Sequence, residues 1–146
     1  MKKKIIVTIE KTDTGFSACA KDHPVVTRGS TMNELIDNCI EAFSLYFEDR
    51  EFYPAELSFE IDFQQFFRYY KVINSKALAE KIGMNPTLLS QYVRGHKKPS
   101  PDQSRRILYG INRIGQELAE MSVLYKAKKL KEGKASINSD ENNEIQ

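Results

Sequence analysis

The sequence predicts an α+β protein in which a β-rich first part is followed by an all-α second part. Segments typical of strands lie before residue 64, whereas the apolar residues after it recur at the helical spacings of three and four. The charge changes at the same place: residues 1–63 contain seven basic and twelve acidic residues, and residues 64–134 contain fifteen and five. We therefore predict domains at 1–63 and 64–131, followed by a polar, aperiodic and disordered tail at 132–146.

Four segments of the first part predict strands. Residues 4–10 are rich in β-branched side chains, and a turn at 12–15 leads into a second strand at 16–22. A third short strand follows at 23–29. Residues 57–63 alternate strictly between apolar and polar side chains, which predicts a half-buried strand.

A helix is expected between the third and fourth strands. Ser30 or Thr31 can cap its first turn, and Glu34 is placed as the capping-box partner of Thr31. The first part therefore has the order β-β-β-α-β, with one helix covering one face of a sheet. The apolar face of this helix comprises Leu35, Ile36, Cys39, Ile40, Phe43, Tyr46 and Phe47.

Residues 64–99 predict three short helices. The first, at 64–73, packs behind the other two. The second begins at Ser75 as N-cap and ends at Gly83, because glycine adopts positive φ without steric cost. The third is capped by Asn85, with Pro86 in the first helical position, where a missing N–H does no harm.

The last of these helices predicts a surface that can enter a DNA major groove. Its inner face is apolar, and we expect it to expose Thr87, Leu88, Gln91 and Arg94. Residues 75–99 resemble the helix-turn-helix of Cro/C1-type (XRE-family) regulators. The scaffold positions of that resemblance are Leu78-Ala79, Gly83, Leu89-Ser90, Tyr92, Gly95 and Pro99. The alternative is a helical hairpin that only packs, but the positive charge of this part favours binding of a polyanion.

The candidate DNA contacts divide into two kinds. Thr87, Gln91 and Arg94 are expected to read base edges, and Leu88 can touch a thymine methyl group. The expected contacts with the phosphate backbone are Ser75, Lys76, Ser90, His96, Lys97 and Lys98.

A long helix is expected after Ser100, which would cap it, with Pro101 at the first position. Its apolar residues follow a heptad pattern, which predicts association of two copies. In the alternative interpretation Ile107 and Ile111 simply close the DNA-binding core, and we accept that interpretation for the first half of the helix only. The heptad residues are Ile107, Ile111, Ile114, Leu118, Met121 and Tyr125.

The first part resembles HicB-type antitoxins, which join a partial RNase H-like domain to a DNA-binding domain. The matching positions are Gly15-Phe16-Ser17-Ala18, Gly29-Ser30-Thr31, Glu34, Asn38 and Ala42. The segment 21–29 departs from the Pro-Asp-hydrophobic-Pro-Gly turn of that family and keeps only Asp22, Pro24 and Gly29.

That resemblance implies a type II antitoxin. Its N-terminal domain would cover a small, basic, RNA-cleaving toxin of the HicA type, and its C-terminal domain would bind double-stranded operator DNA and repress its own operon. A palindromic operator implies a homodimer, or a dimer of dimers if the N-terminal sheets also pair. The alternative is a helix-turn-helix regulator whose N-terminal domain senses a ligand or mediates assembly.

No catalytic residue, metal ligand or cofactor is expected. An RNase H site needs about four clustered carboxylates to hold two Mg²⁺ ions, but only Glu10 and Asp22 lie near strands. His23 and His96 are isolated in the sequence. Hence we do not expect an enzyme.

We expect a cytoplasmic protein. The apolar run after MKKK is too short for a signal peptide, and no segment approaches a membrane span. Cys19 and Cys39 are far apart, and we expect both to be small buried apolar residues rather than a disulfide.

Overall fold

The structure, a computed structural model, describes residues 3–48 and 50–126. Within these ranges the chain forms a four-stranded mixed sheet and five α-helices, so the α+β class is confirmed. The predicted tail at 132–146 lies outside the described residues, as do residues 127–131 of the predicted second part. The elements are β1 (Ile5–Thr12), β2 (Gly15–Ala20), β3 (Val26–Gly29), α1 (Met32–Tyr46), a 3-10 helix (Pro54–Glu56), β4 (Leu57–Ile61), α2 (Phe63–Tyr69), α3 (Ser75–Ile82), α4 (Pro86–Val93) and α5 (Pro101–Met121).

The chain divides into two compact units. The first, Met1–Ser100, contains the sheet and helices α1 to α4, and the second begins at Pro101 with α5. The division into functional parts at residue 63 stays a prediction. Among the helices of the described ranges, none has both the length and the apolar content that a membrane crossing requires.

The strand order in the sheet is β3-β2-β1-β4. β1 pairs antiparallel with β2, from Val7 opposite Ala20 to Thr12 opposite Gly15. It pairs parallel with β4, where Ile9 lies opposite Ile61. Adjacent parallel strands cannot be joined by a hairpin and need a crossover connection. Here the chain leaves β3 at one edge of the sheet, passes through α1 and enters β4 at the other edge.

Helix α1 covers one face of this sheet. Leu35, Cys39 and Phe43 are the most buried residues of the helix, whereas Tyr46, expected on the same face, is 45% exposed. Burial raises the pKa of the Cys39 thiol from 9.0 to about 11. The core of the sheet and α1 comprises Val7, Ile9, Ala18, Ala20, Val25, Leu35, Cys39, Phe43, Phe52 and Leu57.

The prediction for Cys19 is wrong. It lies in β2 between the buried residues Ala18 and Ala20, and successive side chains of a strand point to opposite faces of the sheet. Cys19 is therefore exposed while Cys39 is buried, and both thiols are free.

The start of α1 confirms Thr31 as the N-cap. Its Oγ1 accepts a hydrogen bond from the Glu34 N–H at 3.1 Å. The Glu34 carboxylate reaches back to the N–H of Ser30 at 3.2 Å and to its hydroxyl, rather than to the expected Thr31. The reciprocal cap is therefore shared by two neighbouring residues.

Three strands are shorter than predicted, and the second of the chain ends at Ala20 rather than at residue 22. The third begins at Val26 rather than residue 23, because the N–H of Val25 donates to the carbonyl of His23 in a tight turn. The fourth ends at Ile61, since Asp62 caps a helix by accepting from the Gln65 N–H at 3.0 Å. The alternation at 57–63 therefore does not predict the end of the strand, and only Leu57 of β4 is fully buried.

Helix α2 begins directly after the sheet and is held to it. It ends at Tyr69 rather than residue 73 and buries Phe63 and Phe67. The side-chain amide of Gln65 binds both backbone groups of Lys11: the Lys11 N–H donates to Oε1 at 2.9 Å, and Nε2 donates to the Lys11 carbonyl at 2.7 Å. Gln65 thus continues the hydrogen bonding of β1 beyond the end of β4.

Helix α5 changes from buried to exposed along its length. Ile107 is fully buried and Ile111 and Ile114 are half-buried, whereas Leu118 and Met121 are 66% and 72% exposed. The apolar face of α5 therefore continues into residues that are exposed.

Candidate nucleic-acid interface

Helix α3 begins one residue earlier than predicted. Asn74, not Ser75, is the N-cap, and its side-chain oxygen accepts from the Ala77 N–H at 3.1 Å. Asparagine and serine cap equally well, so the sequence offers two adjacent candidates. Only Asn74 has extended backbone geometry, and Ser75 is the first helical residue.

The end of α3 is fixed by Gly83, as predicted. Its φ of 69° lies in the left-handed region. The N–H of Met84 donates to the Ala79 carbonyl at 2.8 Å, and that of Gly83 donates to the Glu80 carbonyl at 3.3 Å. This is the double hydrogen bond of a Schellman motif, and it buries Met84 beside the helix end.

Helix α4 begins as the sequence predicts. The Asn85 side chain accepts from the Thr87 N–H at 2.8 Å, and Pro86 occupies the first helical position. Leu89 and Tyr92 are buried, with 0% and 5% exposure. The buried pair fixes which face of α4 remains outside.

The outer face of α4 has the composition expected for base recognition. Thr87, Gln91 and Arg94 are exposed. Leu88, expected to be exposed, is half-buried, which reduces the surface it can offer to a thymine methyl group. The structure therefore places two hydrogen-bonding side chains and one cation on the accessible side of α4 and its C-cap.

A tight loop follows α4. Gly95 has a φ of 76°, and its N–H donates to the Tyr92 carbonyl at 3.1 Å. The carbonyl of Gln91 accepts from the N–H groups of His96 and Lys97 at 2.9 and 3.3 Å. The loop thus folds back on the last turn of α4 and brings its cations next to that helix.

The predicted phosphate contacts differ in accessibility. They are all within the first compact unit, on α3, α4 and the loop after α4. Ser75 and Ser90 are half-buried, whereas Lys76, His96, Lys97 and Lys98 are exposed.

One of these cations has a partner from the β-rich part. The Lys98 ammonium lies 2.7 Å from the Glu60 carboxylate of β4. In the same region the Gln64 side-chain amide donates to the carbonyl of Arg94 at 3.2 Å, and a side chain on Gly95 would overlap that amide. The loop is therefore connected to both β4 and the first turn of α2.

A cleft of about 210 Å³ lies between these elements. Its lining combines the ion pair with the polar end of β4 and the loop after α4. The lining residues are Thr8, Glu60, Ile61, Asp62, Phe63, Gln64, Tyr92, Gly95, Lys97, Lys98 and Pro99.

Glu60 and Gln64 are absent from the predicted site. Glu60 lies on the polar side of an alternating strand, where an acidic residue is ordinary, and its cationic partner is distant in sequence. No local pattern relates the two residues, so this contact is visible only in the folded chain.

Comparisons with protein-family models, with curated proteins and with solved structures find no match for this chain.

Proposed function

We propose that this protein is an antitoxin that also represses its own operon. The part comprising α2 to α5 would bind operator DNA as a helix-turn-helix domain. The β-rich part, with a partial RNase H-like fold, would neutralise a small, basic, HicA-like toxin that cleaves RNA. Neither role requires catalysis, a metal or a cofactor, and we place the protein in the cytoplasm.

The observation on which the proposal depends is the division of α4 into two faces. Leu89 and Tyr92 are buried, whereas Thr87, Gln91 and Arg94 are exposed on the opposite side. A recognition helix needs this arrangement, because its apolar side holds it in the domain while its polar side reaches base edges.

Charge supports the assignment of two roles to two parts. Residues 64–134 have a net charge of +10, which suits the polyanionic DNA backbone, and residues 1–63 have a net charge of −5. Helix α1 packs on the sheet by its apolar face and leaves Asp37 and Glu41 exposed. An acidic outer face of this kind would attract a basic protein and accelerate association.

The cleft between β4 and the loop after α4 is the specific observation relevant to a ligand-sensing regulator. Its volume is about 210 Å³. Sites for drug-sized ligands usually measure about 300–1,000 Å³, so this cleft is small for such a role. We therefore prefer the antitoxin to the ligand-sensing alternative.

The DNA-binding proposal is tested by titrating the full chain with labelled duplexes at low ionic strength. One duplex contains the promoter region of its own operon, and a second has the same bases in scrambled order. Clear preference for the promoter duplex is the expected result. Equal affinities would overturn sequence-specific repression.

The antitoxin proposal is tested by co-expressing the full chain with the product of a short, basic, adjacent reading frame. We expect a stable complex and relief of growth arrest. Replacing Asp37 and Glu41 with lysine should slow association, whereas Glu120→Lys in α5 is the control for charge reversal elsewhere. Failure of the full chain to bind a small basic protein, or to relieve its toxicity, would overturn this role.

A further inference from the structure

The contact between Glu60 and Lys98 joins an acidic residue of the β-rich part to a cation of the proposed DNA-binding surface. The two charged groups are 2.7 Å apart, with 31% of the Glu60 side chain and 66% of the Lys98 side chain exposed. Lys98 is therefore accessible to a phosphate group, but part of its charge is already neutralised by a residue of its own chain.

The loop does not need this ion pair to keep its shape. Backbone hydrogen bonds from Gly95 and His96 to the last turn of α4 fix it, and the Gln64 amide binds the Arg94 carbonyl. Exposed ion pairs contribute little to stability in general. The effect of Glu60 is therefore to be sought in the binding properties of Lys98.

A cation paired with an internal carboxylate contributes less to polyanion binding than a free one. Each cation that neutralises a DNA phosphate releases condensed counterions, and that release is favourable for every DNA sequence. If Glu60 occupies Lys98, DNA must compete for the ammonium group, and the carboxylate itself repels nearby phosphates. Both effects weaken sequence-independent binding and leave the base contacts of α4 unchanged.

We propose that Glu60, a residue of the β-rich part, is a positioning residue that holds Lys98 and lowers the sequence-independent affinity of this protein for DNA. The proposal rests on the DNA-binding role proposed above and adds a determinant of DNA affinity outside the helix-turn-helix. By weakening the phosphate contacts, Glu60 increases the share of the binding free energy that depends on sequence.

The test compares wild type, Glu60→Gln, Lys98→Met and the double variant. Each is titrated with a random-sequence duplex and with the promoter duplex over a range of salt concentrations. Glu60→Gln should increase affinity for both duplexes alike, by about two- to fivefold. The slope of log K against log salt should become steeper by up to about 0.9.

The double variant identifies the route of this effect. In the Lys98→Met background, Glu60→Gln should give a smaller gain than in wild type, because only the repulsion of phosphates remains. Glu10→Gln, a control that removes an exposed acid from β1, should give a gain that does not depend on Lys98. Circular dichroism melting of each variant checks that the fold is retained. An unchanged or weaker affinity for Glu60→Gln would overturn the proposal, as would an equal gain with and without Lys98.

Elution from immobilised heparin separates this proposal from the proposed function. Heparin is a polyanion without base sequence, so Glu60→Gln should elute at higher salt than wild type even if the protein shows no promoter preference. Equal affinity of wild type for the promoter and random duplexes would refute sequence-specific repression alone. Elution of Glu60→Gln at or below the salt concentration of wild type would refute the role of Glu60.

Discussion

Side-chain oxygens determine where four of the helices begin. Thr31, Asp62, Asn74 and Asn85 each accept a hydrogen bond from a backbone N–H in the first turn of the following helix. Such a bond satisfies a donor that has no partner inside the helix. These four residues therefore fix the first residues of α1, α2, α3 and α4.

The cap of α3 gives a prediction that distinguishes two neighbouring residues. Asn74→Ala removes the bond to the Ala77 N–H and should lower the free energy of unfolding by about 1 kcal/mol. Ser75→Ala, the matched control one residue along, should change it by no more than about 0.5 kcal/mol. Urea denaturation followed by circular dichroism measures both. A larger loss for Ser75→Ala than for Asn74→Ala would contradict the assignment.

The buried thiol of Cys39 predicts a dependence of stability on pH. Its pKa is about 11 in the folded chain because burial disfavours the thiolate, against 9.0 for an ordinary thiol. The unfolded chain therefore loses this proton at lower pH than the folded chain. Below pH 9 the contribution to stability is fully present, and it is lost as the pH rises towards 11.

The free energy of unfolding should accordingly fall between pH 9 and 11, and this part of the fall should be absent in Cys39→Ala. Cys19→Ala, at the exposed cysteine, should retain the full pH dependence. Denaturation curves at several pH values provide the measurement, and the slopes are compared rather than the absolute stabilities. Identical slopes for the two variants would exclude Cys39 as the source.

At the scale of elements, the proposed DNA interface would combine two kinds of contact on α4 and the loop after it. Gln91 and Arg94 would reach base edges, whereas Lys97, exposed on the loop that folds back on the helix, would contact the phosphate backbone. Base contacts discriminate between sequences, and phosphate contacts do not. Substitutions on the helix and on the loop should therefore differ in kind.

Arg94→Ala should cost about 1–3 kcal/mol on the promoter duplex and relax specificity at one base pair. Lys97→Ala should weaken all duplexes alike and reduce the salt slope by about one unit. Lys21→Ala, which removes one positive charge in the turn between β2 and β3, is the control. Fluorescence anisotropy with promoter and scrambled duplexes measures these effects. Equal losses of Arg94→Ala on both duplexes would remove Arg94 from the base-reading set.

The end of α3 and the start of α4 could be predicted because their signals are local. Gly83, Asn85 and Pro86 act within one turn, and the structure uses each of them as expected. The border between β4 and α2 could not be predicted, since Phe63 fits both the alternation of a strand and the spacing of a helix. There the capping bond of Asp62 determines the outcome, and the apolar pattern does not.

At the scale of the whole molecule, sequence reasoning gives the order of the elements but not the position of β4 in the sheet. The β-β-β-α-β order is observed, but the position of β1 between β2 and β4 depends on contacts between distant segments. The pair of Glu60 and Lys98 is equally non-local. Such contacts have no periodicity and no turn signal that could be recognised in the sequence.

The exposed apolar end of α5 predicts association of two copies of the chain. Leu118 and Met121 are largely exposed, and Tyr125, which lies beyond the last residue of α5, is 56% exposed. Leu118→Glu should shift the protein towards monomer, because two leucines lose about 1.5–3 kcal/mol of burial each.

Light scattering and sedimentation over a range of concentrations measure this shift. Gln116→Glu adds the same charge to α5 away from the heptad positions and should leave the assembly unchanged. A wild-type chain that remains monomeric at all concentrations would contradict the prediction. A dimer insensitive to Leu118→Glu would place the interface elsewhere.

The contact of Gln65 with both backbone groups of Lys11 also determines how this chain can be recombined with others. A chimaera that joined residues 1–63 to a foreign helical module would leave the end of β1 without the amide that completes its hydrogen bonds. A junction after Ser100 would keep this amide and the first compact unit intact. We therefore expect viable exchanges to transfer the sheet together with α2, α3 and α4, and the β-rich part not to be inherited separately from α4.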